Sequence, residues 1–263
     1  MMILGALEES AKTIVLKPYV LIPMLIVTIF GYLINEATIG LLEGYLTDVI
    51  LYGESLAQLD PIFYILGTYP IEVLLLIISG IIMLFVTTIA FVSIAKISNK
   101  KSFVESINSS VMEWKRNLGM ALFGIIVFFL FFVIFFGILY VLDWIDTITG
   151  GIIGPLIYLV LLWIILIVLA IIFTVKLSFT LPAFAQGEKV RDAIQRSWEM
   201  TNTAFWNALA FVIILTVIAF LIYQIFYILT LSFLELEIVL ISLGEIISMT
   251  FFALGISHYY YQR

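Results

Sequence analysis

The chain has 263 residues, 64% hydrophobic and only 11% charged, with 12 Lys and Arg against 18 Asp and Glu and a formal net charge of -6. A soluble domain of this length needs far more polar surface, so membrane burial is the environment this composition fits. No basic groove or stripe stands out, which argues against nucleic acid as a partner, and the lack of Cys excludes disulfides, iron–sulfur clusters and thiol chemistry.

The first sixteen residues start without a basic region, carry Glu8 and Glu9 and offer no small-x-small cleavage site. A retained, cytosolic N-terminus is therefore expected rather than a signal peptide. Apolar runs long enough to span about 30 Å as helices follow at 14–35, 71–97, 118–142, 155–181, 204–230 and 237–261. Long runs without strand-like alternation exclude a barrel, because a spanning segment must satisfy its own backbone. Pro70 and Pro155 suit the first turns of the second and fourth helices, and Pro182 is expected to close the fourth. Residues 36–70 form a longer acidic connection in which Ile39, Leu42, Leu46 and Ile50 recur at helical spacing. A short helix along the outer surface is expected there, followed by a turn around Pro61 to Leu66, the whole acting as a lid. Gly150 to Gly154 read as a turn before Pro155.

All twelve basic residues flank segment ends that share one face, whereas the opposite connections carry none. The positive-inside rule makes the basic face cytoplasmic, with both termini inside a multi-pass cell-membrane protein. Three stretches on that face align without gaps: Ala6 to Ser10, Ser106 to Ser110 and Ala193 to Ser197, each small-x-x-x-Ser and each leading into an outgoing spanning helix. Around them Ile3, Leu7, Ala11 and Ile14, then Phe103, Ile107, Val111 and Trp114, then Val190, Ile194, Trp198 and Thr201 follow helical spacing. Each stretch therefore reads as an amphipathic helix on the inner leaflet, the second opened by a capping box at Ser102 and Glu105. The expected fold is all-α and integral to the membrane: six transmembrane helices in three parallel repeats of interfacial helix plus hairpin. The repeats are 1–101, with the acidic outer loop, 102–187 and 188–263, and their common orientation implies a pseudo-threefold axis along the membrane normal.

Leu181-Pro182-Ala183, Gly187, Ala193-Ile194-x-x-Ser197-Trp198-Glu199 and Phe205-Trp206-x-x-Leu209 resemble the membrane domain associated with glycerophosphoryl diester phosphodiesterases and its prokaryotic relatives. The similarity covers the last third well and the middle third weakly, and it implies a shared six-helix architecture. The soluble phosphodiesterase barrel, with its metal-binding carboxylates and catalytic His, has no counterpart in this chain.

Catalytic patterns are missing. His258 is the single His, so His-Glu-x-x-His is impossible, and neither a Gly-x-Ser-x-Gly elbow nor a Gly-rich phosphate loop occurs. No catalytic, metal or cofactor site is expected. Glu245 lies deep in the last apolar run, where a carboxylate is expensive and usually faces the bundle interior. Gln224 lies about as far below the turn joining the fifth and sixth helices, so a Gln224–Glu245 hydrogen bond across that hairpin is expected. Lys17, Lys115, Arg116, Lys176, Arg191 and Arg196 are candidate anionic-lipid contacts, Lys17 and Lys176 by snorkelling. The favoured function is a lipid- or partner-binding, membrane-organising or accessory module, with membrane lipids and a protein at the cytoplasmic face as partners. A small transporter or channel with Glu245 as ion or proton site is the alternative.

Overall fold

The structure is a computed structural model that describes residues 2–36, 70–99, 101–149 and 155–262, together with 43, 47 and 68. The helix and turn expected in the 36–70 connection, and the Gly150 to Gly154 turn, lie outside the described residues. Every regular element among those described is helical: α1 (Met2–Leu16), α2 (helical over 22–36 after a 3-10 turn at Pro18–Leu21), α3 (Pro70–Ser98), α4 (Phe103–Met112), α5 (Trp114–Thr149), α6 (Pro155–Leu177), α7 (Thr180–Ala185), α8 (Val190–Thr203), α9 (Phe205–Thr230) and α10 (Glu237–Tyr261). Six stretches are long and apolar enough to cross a membrane: Pro18–Glu36, Val73–Ser98, Trp114–Ile138, Ile164–Ala185, Phe205–Thr230 and Glu237–Tyr261. They correspond to the six expected runs.

Two helix ends differ from expectation. The helix α5 continues past 142 to Thr149, because no Gly or Pro interrupts it before Gly150. Pro182 does not close the fourth span but sits third in α7, where its missing N–H is tolerated; the break falls upstream, at 178–179.

The short helices α1, α4 and α8 gather at one end of the bundle, hereafter the short-helix end. Ser102 caps α4, its hydroxyl accepting the Glu105 N–H at 3.3 Å. The faces these helices press into the protein are narrower than the apolar stripes suggest. Ala6 and Ser10, Ser106 and Ser110, and Ala193 and Ser197 are all fully buried, whereas Ala11, Val111 and Trp198 are exposed. Small residues let backbones approach closely, and each serine hydroxyl is satisfied on a carbonyl. Ser10 donates to Ala6 O at 2.6 Å, Ser110 to Ser106 O at 2.7 Å and Ser197 to Lys176 O at 2.6 Å.

Packing follows a cyclic order. The helix α4 lies against α3, α8 lies against α6 and α7, and α1 lies against α10. The returning helices α3, α7 and α10 also touch one another. At their meeting point the Tyr261 hydroxyl donates to Ala95 O at 3.2 Å and approaches Pro182 O at 3.5 Å. The core beneath is aromatic: Phe211 stacks on Tyr259 with centroids 4.2 Å apart, and Phe179 lies 5.5 Å from the same ring. A second apolar cluster, including Val20, Met24, Val27, Ile94, Ile246 and Leu254, joins α2, α3 and α10.

Candidate functional site

Two cavities concern the residues singled out by sequence. The larger, about 600 Å³, opens at the short-helix end where the returning helices meet. Asn99 follows α3, Gln186 follows α7, Tyr260 and Tyr261 end α10, and Arg196, Met200 and Thr203 come from α8. Arg196 is exposed and paired with Glu188, and its guanidinium carbon lies 6.0 Å from the Tyr260 ring centroid. The Glu188 carboxylate, hydrogen-bonded to the guanidinium, holds the Arg196 pKa above its ordinary value. Tyr260 is 7% exposed, and its buried hydroxyl has no hydrogen-bond partner among the described residues. The cavity thus combines a guanidinium, two side-chain amides and hydroxyl groups, a set suited to an anionic oxygen cluster.

The other candidate lipid contacts separate into groups. Lys17, Lys115 and Arg191 are exposed, and Lys115 Nζ lies 5.6 Å from the Trp114 ring centroid. Arg116 is partly buried, paired with Glu113 and set 4.5 Å from the centroid of the Phe184 ring, so it ties α5 to α7. Lys176 departs from the snorkelling expectation. It is 8% exposed, donates to Asn202 and lies 5.1 Å from the Trp198 ring and 5.7 Å from the Phe205 ring. An ammonium satisfied by an amide oxygen and two aromatic faces has no need to reach the interface. Lys96 is equally internal, donating at 3.0 Å to both Ser109 and Glu113. His258 Nε2 stands 3.4 Å from the Thr13 hydroxyl. At each of the three junctions, therefore, a basic side chain of a spanning helix meets a polar side chain of the short helix packed on it, a feature the sequence did not reveal because the partners are 13 to 245 positions apart.

The second cavity, about 380 Å³, lies between α2 and α10 toward the opposite end. Its lining includes Thr28, Gly31, Tyr32 and Asn35 of α2 and Ser242 and Glu245 of α10. Glu245 thus faces the interior of the bundle, yet the expected partner is wrong: among the described residues no hydrogen bond joins it to Gln224. The register of the α9–α10 hairpin explains why. A Cβ on Gly244 would lie 2.7 Å from Phe226 Cβ, and one on Gly255 would lie 2.4 Å from Leu215 Cδ1, so the glycines mark the α10 face turned to α9. Glu245 is level with Ile225, beside Gln224, but stands about 100° around the helix from Gly244 and points to α2 instead. Level was legible in the sequence; azimuth was not.

Comparison with protein-family models, with curated proteins and with solved structures gives no match.

Proposed function

We propose that the chain is a non-catalytic integral membrane module that binds anionic lipid headgroups at a cytoplasmic face built from α1, α4 and α8. The observation that carries this reading is the cavity where the returning helices meet, lined by Arg196, Asn99, Gln186, Thr203 and Tyr260. A phosphate entering it exchanges Glu188 for its own oxygens on Arg196, and the buried Tyr260 hydroxyl gains the acceptor it lacks. Exposed Lys12, Lys101, Lys189 and Arg191 surround the same end and draw anionic lipid toward it, each near-surface charge adding about 1 kcal/mol.

Three parallel repeats closed into a ring are part of the proposal. They are supported by the burial of small-x-x-x-Ser in all three short helices and by the packing order, in which each short helix rests on the returning helix of the preceding unit and the first rests on the last. Likeness to the phosphodiesterase-associated membrane domain enters as a proposal about architecture alone. Binding is favoured over conduction because the cluster of Val20, Met24, Val27, Ile94, Ile246 and Leu254 lies between the two cavities, and an apolar plug of that kind holds no water path.

The test is lipid retention by the purified protein, read by native mass spectrometry after exchange into defined micelles. Phosphatidylglycerol is expected to bind in preference to phosphatidylcholine. Arg196→Gln is expected to weaken that binding about tenfold, and Arg191→Gln by about fivefold, the value of one rim charge. Equal retention of the two lipids, or an Arg196→Gln protein indistinguishable from the parent, overturns the assignment.

A further inference from the structure

We infer that the cavity between α2 and α10 is a binding site for a primary ammonium group carried on a short polar chain, with Glu245 as its counter-ion. The two helices run antiparallel: Met24 and Val27 of α2 share an apolar cluster with Ile246 and Leu254 of α10, and the later α2 residues Thr28 to Asn35 share the cavity with the earlier α10 residues Ile238 to Glu245. Thr28 is the innermost α2 residue of the lining and Glu245 the innermost of α10, while Asn35 and Ile238 are the outermost. The polar groups consequently form a slot rather than a patch. Thr28 and Glu245 share its floor, eight residues or about 12 Å from Glu36 and Glu237 near the far ends of their helices. Asn35 stands near its mouth.

The floor shows an unmet need for a donor. Thr28 is 8% exposed, yet its Oγ1 has no hydrogen-bond partner among the described residues. A membrane-helix threonine ordinarily donates to the carbonyl four residues back, as Thr88 does to Leu84 at 2.8 Å. Glu245, in the same lining, is half-buried, and among the described residues no basic side chain lines the cavity. A carboxylate and a hydroxyl oxygen in the inner part of one cavity ask for a ligand with several N–H donors, while the amide of Asn35 and the hydroxyl of Tyr32 can meet a polar group further out.

Size and shape exclude the simpler cations. A volume of about 380 Å³ is more than ten times the share of one water in the liquid, far larger than a proton site requires. A calcium ion takes six to eight oxygens converging at about 2.3–2.6 Å, whereas the oxygen-bearing side chains from Thr28 to Asn35 are spread over about 10 Å of helix rise. A quaternary ammonium lacks the N–H donors and prefers an aromatic cage, and among the described residues the cavity is lined by one aromatic ring, that of Tyr32. An amino alcohol or an aminophospholipid headgroup presents the chemistry required.

The experiment is equilibrium dialysis of radiolabelled ethanolamine against the full chain in phosphatidylcholine nanodiscs. Saturable binding at one site per chain is expected, with competition by ethylamine and none by choline or by sodium chloride at matched ionic strength. Glu245→Gln is expected to weaken binding at least tenfold. Thr28→Val is expected to weaken it by three- to tenfold, and it leaves the melting midpoint of the empty protein unchanged because no hydrogen bond is lost. Replacing part of the phosphatidylcholine by phosphatidylethanolamine separates the two sources: a lowered apparent affinity for ethanolamine assigns the site to the lipid headgroup, and an unchanged one to the free amine. Absence of saturable binding, competition by choline or sodium as strong as by ethylamine, or a Thr28→Val protein that binds as the parent does, overturns the proposal. None of these outcomes depends on what occupies the cavity at the short-helix end.

Discussion

A lysine ammonium with 2% of its surface exposed tolerates that burial only through its partners, and Lys96 has Ser109 and Glu113 at 3.0 Å each. The two members of this ion pair are unequally placed, since the Glu113 side chain keeps 37% of its surface and also holds Arg116. Removing the acid strands a buried charge; removing the base strands nothing. Glu113→Ala is therefore expected to destabilise the protein by about 3 kcal/mol and Lys96→Met by less than about 1 kcal/mol. Unfolding in mixed micelles, followed by circular dichroism against denaturant, checks the asymmetry, and equal losses would mean that Lys96 acts through its stem and not its charge. In the sequence Lys96 is legible only as one of the twelve basic residues that flank segment ends. Its partners lie on the following helix, and which way a side chain turns at a helix end is decided by the neighbouring helix.

At the scale of elements, the α9–α10 hairpin is held by close approach more than by polar contacts. Gly244 and Gly255 stand where added methyl groups would overlap Phe226 and Leu215, the small-residue contact that membrane helices use in place of a hydrophobic driving force. Gly255→Ala is expected to cost about 1–3 kcal/mol through overpacking. Pairing it with Leu215→Ala should recover part of the loss, since the nearest atom is the tip of that leucine. A double-mutant cycle of thermal stabilities in detergent provides the check, and strict additivity would show that the two residues do not touch. The hairpin also shows what a single sequence can convey about elements. Six spans and the capped start of α4 were legible because apolar length and the Ser102–Glu105 pair are local. The upstream break near Pro182 and the continuation of α5 to Thr149 are also local in cause. Proline suits a first turn as well as a helix end, and α5 runs on to Thr149 rather than stopping where its hydropathy falls, so hydropathy and proline alone do not set these two boundaries. The polar slot of α2 and α10 escaped for a different reason: its halves are more than two hundred residues apart, and only the packing of the two helices brings Thr28 and Glu245 into one cavity.

For the whole molecule, the distribution of charge between the two ends decides orientation. Lys12, Lys17, Lys96, Lys101, Lys115, Arg116, Lys176, Lys189, Arg191 and Arg196 lie on or beside the short helices, whereas Glu36, Glu235 and Glu237 stand at the opposite end with no Lys or Arg among the described residues there. Basic residues close to spanning helices resist translocation, and acidic ones contribute little, so the short-helix end is expected in the cytoplasm. The native chain contains no cysteine, which makes single introduced thiols clean reporters. Lys101 and Ser232 are exposed at opposite ends, the first before α4 and the second between α9 and α10. In intact cells a membrane-impermeant maleimide is expected to label Ser232→Cys and to leave Lys101→Cys unlabelled until the membrane is opened. The reverse pattern would turn the molecule over, carrying the Arg196 cavity to the outer surface and the Glu245 cavity toward the cytosol. Labelling of both thiols from outside would mean an even number of crossings between them, and α5, α6 and α9 could then not all be full spans.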